Sequence, residues 1–142
     1  MKLKRRRDKL LGNFLGINPI YLVAGVVFID QTTKILAERV FPIVCNGGVA
    51  FGIRAGGSVL SAVVLIILLF LLKFEKKREN LTVLVLIFAG GLSNFVDRII
   101  FGCVRDFINF GIFPIFNFAD VAVTLGVALF VYLVFWGKHE KA

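Results

Sequence analysis

The sequence predicts an all-α integral membrane protein: four helices cross the bilayer, both termini are cytoplasmic, and a small β-containing segment lies on the extracytoplasmic side. Three observations carry that expectation. Hydrophobic residues make up 58% of the 142 and the mean hydropathy is +0.90, too apolar for an ordinary water-soluble domain. Four apolar stretches approach the length of about 20 residues that a helix needs to cross a hydrocarbon layer of about 30 Å. The basic residues crowd beside those stretches, as they do in cytoplasmic loops. The length allows one domain.

A basic segment, 1–16, opens the chain, with Lys2, Lys4, Arg5, Arg6, Arg7 and Lys9. The apolar run behind it has the outline of a secretory signal, but no small-residue cleavage site follows. It continues instead into Asp30, Gln31 and Lys34, so Ile17 to Leu36 reads as the first permanent span. Val59 to Phe74 is the second, reaching full length only with Gly56, Gly57 and Ser58. The short connection from Lys73 to Asn80 makes an antiparallel hairpin with the third span, Leu81 to Ile100. Within that span the Gly90-Gly91 pair permits close helix approach. Phe118 to Trp136 is the fourth, and 138–142 is a charged tail in which His139 is expected to be solvated. Residues 17–137 thus form the four-helix membrane domain.

Two connections are unlike ordinary polar loops. Phe41 to Phe51 mixes β-branched and aromatic residues with Pro42, Gly47 and Gly48, which suits a short strand or hairpin. Ile108 to Phe118 carries Phe110, Phe113, Phe116 and Phe118 with Pro114, aromatic enough to rest at the lipid–water interface. An interfacial anchor and a lip for a membrane-held substrate fit these residues equally.

Twelve Lys and Arg fall in the head, the Lys73–Asn80 loop and the tail, against five elsewhere: Lys34, Arg39, Arg54, Arg98 and Arg105. The excess places both termini inside. Charge confined to such clusters also argues against nucleic-acid binding, despite a net charge of +8. With this orientation Asp30, Asp97, Asp106 and Asp120, from different parts of the chain, meet at one outer depth. A charge at a helix centre costs roughly 2.5–3.5 kcal/mol, less near the interface or beside a partner.

Asp106 and Asp120 weigh most. Two facing carboxylates do not both ionise cheaply, so one keeps a proton while the other takes one from water. Such a pair hydrolyses amides without a metal or a covalent nucleophile, and no metal or cofactor is expected here. For an isolated Asp near a helix end, capping or pairing with Arg is the commoner role. Asp97 and Arg98 are adjacent and bind separate partners; Arg98 is open to pairing with Asp106 or Asp120, or to donating to a substrate carbonyl. Asp30 and Lys34, at i,i+4, read as a structural ion pair. Asn46, Asn94 and Asn117 can hold backbone or carboxylates in place. Cys45 and Cys103 lack CxxC spacing; a disulfide is open to them, but two free thiols are the expectation, since nothing in the sequence brings them together. A small transporter or proton relay is the alternative function. It would need polar groups at mid-membrane or on both faces, whereas the inner halves of these spans are almost entirely apolar. A catalytically inactive scaffold is a further alternative.

Five motifs resemble those of the bacterial lipoprotein signal peptidases, the type II signal peptidases. They are Asp30-Gln31-Thr32-Thr33-Lys34, Asn46-Gly47-Gly48-Val49-Ala50-Phe51, Gly90 through Asn94 into Asp97-Arg98, Val104-Arg105-Asp106-Phe107, and Phe116-Asn117-Phe118-Ala119-Asp120. They stand in family order across almost the whole chain. The resemblance implies an aspartyl endopeptidase of the bacterial inner membrane, acting at the extracytoplasmic face on a diacylglyceryl-modified prolipoprotein. The cut would fall on the amino side of the lipidated cysteine, with membrane lipid as the surroundings and a monomer as the sufficient unit. By motif match, Asp106 and Asp120 are catalytic, and Asn46, Gly48, Asn94, Arg98 and Asn117 line or brace the site with Asp30, Lys34 and Asp97 in support. The eleven residues between Lys34 and Asn46 and the Asp106–Asp120 segment are shorter than the family usually has.

Overall fold

The computed structural model describes residues 16–48 and 57–135. The basic head, Val49, Ala50, Phe51, Arg54, Trp136 and the tail lie outside the described residues. Four helices and two short strands follow in the order α1 (Pro19–Ala37), β1 (Val44–Asn46), α2 (Gly57–Phe74), α3 (Arg78–Phe101), β2 (Val104–Asp106) and α4 (Phe118–Phe135). All four helices are long and apolar enough to cross a membrane. The four-helix, partly β architecture expected from the sequence is the one observed.

The boundaries move for local reasons. Asn18, not Ile17, marks the start of α1: its side chain accepts the Ile20 N–H at 3.0 Å, and Pro19 occupies the first turn, where no N–H is needed. The second helix does take in Gly57 and Ser58. The third begins at Arg78, three residues ahead of the apolar run, because Arg78, Glu79 and Asn80 form a polar first turn and an acid there meets the positive end of the helix. It ends at Gly102, whose φ of 74° is the left-handed conformation that closes a helix readily only with glycine.

α3 is the centre of the bundle. Half of its apolar window is buried, against 11–17% for the other three helices, and it packs on all of them. Its closest neighbour is α4: a Cβ at Gly90 would collide with the Ala119 carbonyl and approach the Val123 side chain at 2.8 Å. Hydrogen on Gly90 is therefore what lets the start of α4 lie against the middle of α3. Gly126, one helical stretch further on, does the same against Ile87. The outward faces carry Phe28, Ile29, Ile66, Phe70, Ile99 and many other exposed large apolar side chains. Such a surface suits lipid and would be an aggregation liability in water.

β1 and β2 pair antiparallel, with Val44 opposite Asp106, Cys45 opposite Arg105 and Asn46 opposite Val104. The strand expected near Phe41–Phe51 is present, but its partner follows α3 and is not a neighbouring half-hairpin. Cys45 and Cys103 are joined in a disulfide, with Cα atoms 5.5 Å apart, which corrects the expectation of two free thiols. The cause is the strand register: pairing Cys45 with Arg105 brings Cys103, at the head of β2, within reach. Sequence separation hid this, because the two cysteines are 58 residues apart.

Candidate active site

The C-terminal ends of α1 and α3, the two strands and the N-terminus of α4 converge at one end of the bundle. Nearly all the buried polar side chains gather there: Asp30, Lys34, Ser93, Asn94, Asp97, Arg105, Asp106 and Asn117. They divide into two connected groups.

The first group is centred on Lys34, which is completely buried. Its Nζ meets Asp30 Oδ2 at 2.7 Å, Asp97 Oδ2 at 3.0 Å and Asn94 Oδ1 at 3.1 Å, so all three ammonium protons have acceptors. Asp30 also accepts from Ser93 Oγ at 2.7 Å, and its other oxygen takes the Ala119 N–H at 2.8 Å. An acid on α1 thereby caps α4, satisfying one of the free donors at that helix start. Asp97 accepts from Arg105 Nη2 at 2.8 Å, the Arg105 N–H at 3.0 Å and Gln31 Nε2 at 3.0 Å. Arg105 reaches on to Glu38 at 2.9 Å and Gln31 Oε1 at 2.8 Å, with its guanidinium 4.0 Å from the Phe101 ring centroid. The i,i+4 pairing of Asp30 with Lys34 is as expected. Arg105, Gln31, Glu38 and Ser93 were given no role from sequence. Arg105 sits immediately beside Asp106 in its motif, and that adjacency was the available signal.

The second group surrounds Asp106 and Asp120. Asp106, on β2, accepts from Asn117 Nδ2 at 2.6 Å and from Asn46 Nδ2 at 3.1 Å. Asp120, in the first turn of α4, accepts from Asn94 Nδ2 at 2.8 Å and from the Asn117 N–H at 3.2 Å. Asn117 returns the second contact: its Oδ1 takes the Asp120 N–H at 3.0 Å, a reciprocal cap at the helix start. One amide side chain therefore holds both aspartates, Asp106 through Nδ2 and Asp120 through Oδ1. Asn117 is brought to Asp106 by the Ile108–Phe116 bridge, which folds the intervening segment back on itself. Burial pushes the Asp106 carboxyl up to about 6; the Asn46 hydrogen bond pulls it down, and the charge of Asp120 pushes it up again.

Arg98 does not pair with either aspartate. Its Nη2 donates to the Gly48 carbonyl at 2.7 Å, fastening the chain beyond β1 to α3, and its buried Nε has no hydrogen-bond partner among the described residues. Asp97 and Arg98 do face separate partners, as their adjacency on a helix requires. Both aspartates, Asn46, Gly48, Asn94 and Arg98 line one cavity of about 950 Å³. Beyond the aspartates its wall is mostly apolar: Phe110, Phe113 and Phe116 on the aromatic segment, then Val121 and Leu125 along α4. The ten residues singled out from sequence thus all lie at one end. Six line the cavity, while Asp30, Lys34, Asp97 and Asn117 stand behind it.

Residues 22–136 match the family model for signal peptidase (SPase) II. A lipoprotein signal peptidase from Sulfurihydrogenibium sp. (strain YO3AOP1) is 36% identical, over 94% of this chain and 98% of its own length. That of Staphylococcus aureus (strain Newman) is also 36% identical, over 90% and 93%. A bacterial membrane enzyme solved in meso at 2.3 Å superimposes with a TM-score of 0.75 at 30% identity, over 87% of this chain and 91% of that one. A second, at 1.9 Å, gives 0.73 and 29%, over 83% and 92%. With the family model spanning most of the chain, and with relatives of matching length, this multi-pass membrane protein belongs to the signal peptidase II family of peptidases.

Proposed function

We propose that the chain is an aspartyl endopeptidase that removes the signal peptide from diacylglyceryl-modified prolipoproteins, cutting on the amino side of the lipidated cysteine. The observation that carries the reading is one cavity holding two carboxyl groups whose hydrogen-bond partners are neutral amides. Among the described residues no cation neutralises either directly, so one proton shared between them is the cheap state. Asp106, pushed up to about 6, keeps that proton and gives it to the scissile carbonyl oxygen. Asp120 takes a proton from the attacking water, which adds to the carbonyl carbon. Collapse of the tetrahedral adduct returns a proton to the leaving amine. Asn117 and Asn94 fix the two carboxyl groups relative to each other throughout.

The membrane supplies the rest. By the distribution of basic residues the site faces the extracytoplasmic side of the bacterial inner membrane. The two acyl chains of the modified cysteine remain in lipid, each buried methylene contributing about 0.8 kcal/mol. They hold the bond to be cut at the depth of the polar end. The apolar wall along α4 receives the hydrophobic part of the signal peptide, and one chain provides every group used, so a monomer suffices.

The test is cleavage of a diacylglyceryl-modified prolipoprotein by purified protein in lipid, beside the same precursor without the lipid. Wild type cuts only the modified precursor, and Asp106→Asn and Asp120→Asn each stop the reaction while still folding. Near-normal turnover by both variants removes the dyad; equal cutting of the unmodified precursor removes the lipid requirement.

A further inference from the structure

β1 is the least supported element at the polar end. It is three residues long and exposed along its whole length, yet it carries two contacts that the site depends on. Asn46 donates to Asp106 Oδ2, and Gly48 just beyond it presents its carbonyl to Arg98. A strand of this size is not independently stable. Its partner differs: β2 is buried throughout and held to α1 and α3 by Arg105. The single covalent tie between the weak strand and the strong one is the Cys45–Cys103 bond, which lies next to Asn46 on one strand and next to Val104 on the other.

We propose that the Cys45–Cys103 disulfide is a positioning device for the dyad, holding β1 so that Asn46 reaches Asp106, and that reducing it slows the peptidase. The inference rests on the function proposed above. Cys45 is exposed and Cys103 buried, so a small dithiol reaches the bond from the β1 side. Its thiolate attacks one sulfur and its second thiol then closes on the first. Two electrons and two protons pass to Cys45 and Cys103, and the reagent leaves as a cyclic disulfide. Among the described residues, the β1 end is then held by three register pairs and two side-chain contacts.

Loss of the Asn46 contact has a definite sign at Asp106. The charged groups facing it are Asp120 from α4, Lys34 from α1 and Arg98 from α3; the neutral donors are Asn46 from β1 and Asn117. Of these, Asn46 is the one that β1 itself carries. Its hydrogen bond favours the ionised carboxylate, so its loss moves the ionisation of Asp106 to higher pH.

The experiment compares the full chain in lipid, oxidised and dithiol-reduced, on a diacylglyceryl-modified prolipoprotein, with reduction verified by labelling of the two thiols. Reduction is expected to lower kcat about tenfold, the order that a displacement of less than 1 Å produces, with KM changed less than about twofold. The alkaline limb of kcat/KM moves to higher pH. Removing the reagent and reoxidising restores both. Cys45→Ala/Cys103→Ala resembles the reduced enzyme and ignores the reagent, and Asn46→Ala reproduces the pH displacement with the disulfide intact. Verified reduction that leaves kcat and the pH profile unchanged overturns the inference. So does a fall in kcat that tracks loss of thermal stability with no pH displacement, since that marks a staple of the fold only. If the oxidised protein cleaves nothing, the peptidase reading itself fails; if oxidised and reduced forms cleave alike, only the role of the disulfide does.

Discussion

The polar end contains two sets of carboxyl groups that differ in one respect, and the difference separates structure from chemistry. Around Lys34 and Arg105, the acids Asp30, Asp97 and Glu38 each touch a cation. Beside them, among the described residues, Asp106 and Asp120 touch only amide donors from Asn46, Asn94 and Asn117. In the first set, buried charge is compensated at the point of contact, so nothing is gained by moving a proton. In the second it is left uncompensated, and a proton has reason to stay. Arg98 lines the same cavity, yet its guanidinium is engaged by the Gly48 carbonyl. Asn94 and Asn117 belong to both sets, since Asn94 Oδ1 accepts from Lys34 and Asn117 Nδ2 donates to Asn94 Oδ1 as well as to Asp106. They transmit the rigidity of the charged cluster without its charge.

Breaking each set should therefore have opposite consequences. Asp106→Asn or Asp120→Asn removes the proton-transfer group, and cleavage of the lipidated precursor is expected to fall by at least about a thousandfold. Stability moves the other way at Asp106. Its value of about 6 lies above the ordinary carboxylate value of 3.8, so between those limits the folded state binds more protons than the unfolded. Stability at this group then rises as pH falls through that window, and an amide, never charged, relieves the penalty at neutral pH. The midpoint of thermal unfolding of Asp106→Asn at pH 7 should be at or above that of wild type; a clear drop would mean that the carboxylate is a structural partner after all.

Lys34→Met is the counterpart. It leaves Asp30 and Asp97 facing each other without the ammonium between them, the circumstance that costs about 3–5 kcal/mol when one member of a buried ion pair is removed. Thermal unfolding in detergent should show a large loss, and in the protein that stays folded the ionisation of Asp106 should move to higher pH, since Lys34 also faces that carboxyl. A Lys34→Met protein as stable as wild type would show that the cluster contributes nothing to the bundle.

The pH dependence of kcat/KM sharpens the assignment within the dyad. With Asp106 as proton donor, the free enzyme is competent only while that proton is present, so kcat/KM should decline about tenfold per pH unit once pH passes about 6. A profile that climbs through the same region would exchange the roles of Asp106 and Asp120.

How much of this could be read from the residues alone varies with the kind of information involved. The spans were legible because all-round apolarity is a local property of Val59–Phe74 or Phe118–Phe135 and needs no partner. The common depth of Asp30, Asp97, Asp106 and Asp120 followed from span order and the direction of each helix. What the sequence left unassigned were pairings across the fold. Nothing local says that β1 lies beside β2, so neither the Cys45–Cys103 bond nor the backbone carbonyl that Arg98 takes as its acceptor is legible there. Nor do the partners of Arg105 show locally: side chains alternate along a strand, so Arg105 faces away from its neighbour Asp106 and toward residues distant in sequence.

Arg105 also gives the smallest and most discriminating prediction about the comparison. Its value to the cluster has two parts: a positive charge beside Asp97 and Glu38, and a planar fork that reaches Asp97, Gln31 and Glu38 at once while lying over Phe101. Arg105→Lys keeps the first and discards the second, because an ammonium has neither the fork nor the flat face. If compensation of charge is what makes this set structural, the loss should be modest, about 1 kcal/mol from the missing hydrogen bonds and stacking. The pH profile should stay where it was, since no group at Asp106 has changed charge. A displaced profile would mean that the Arg105 fork sets the position of its neighbour Asp106, so that the two sets are mechanically one.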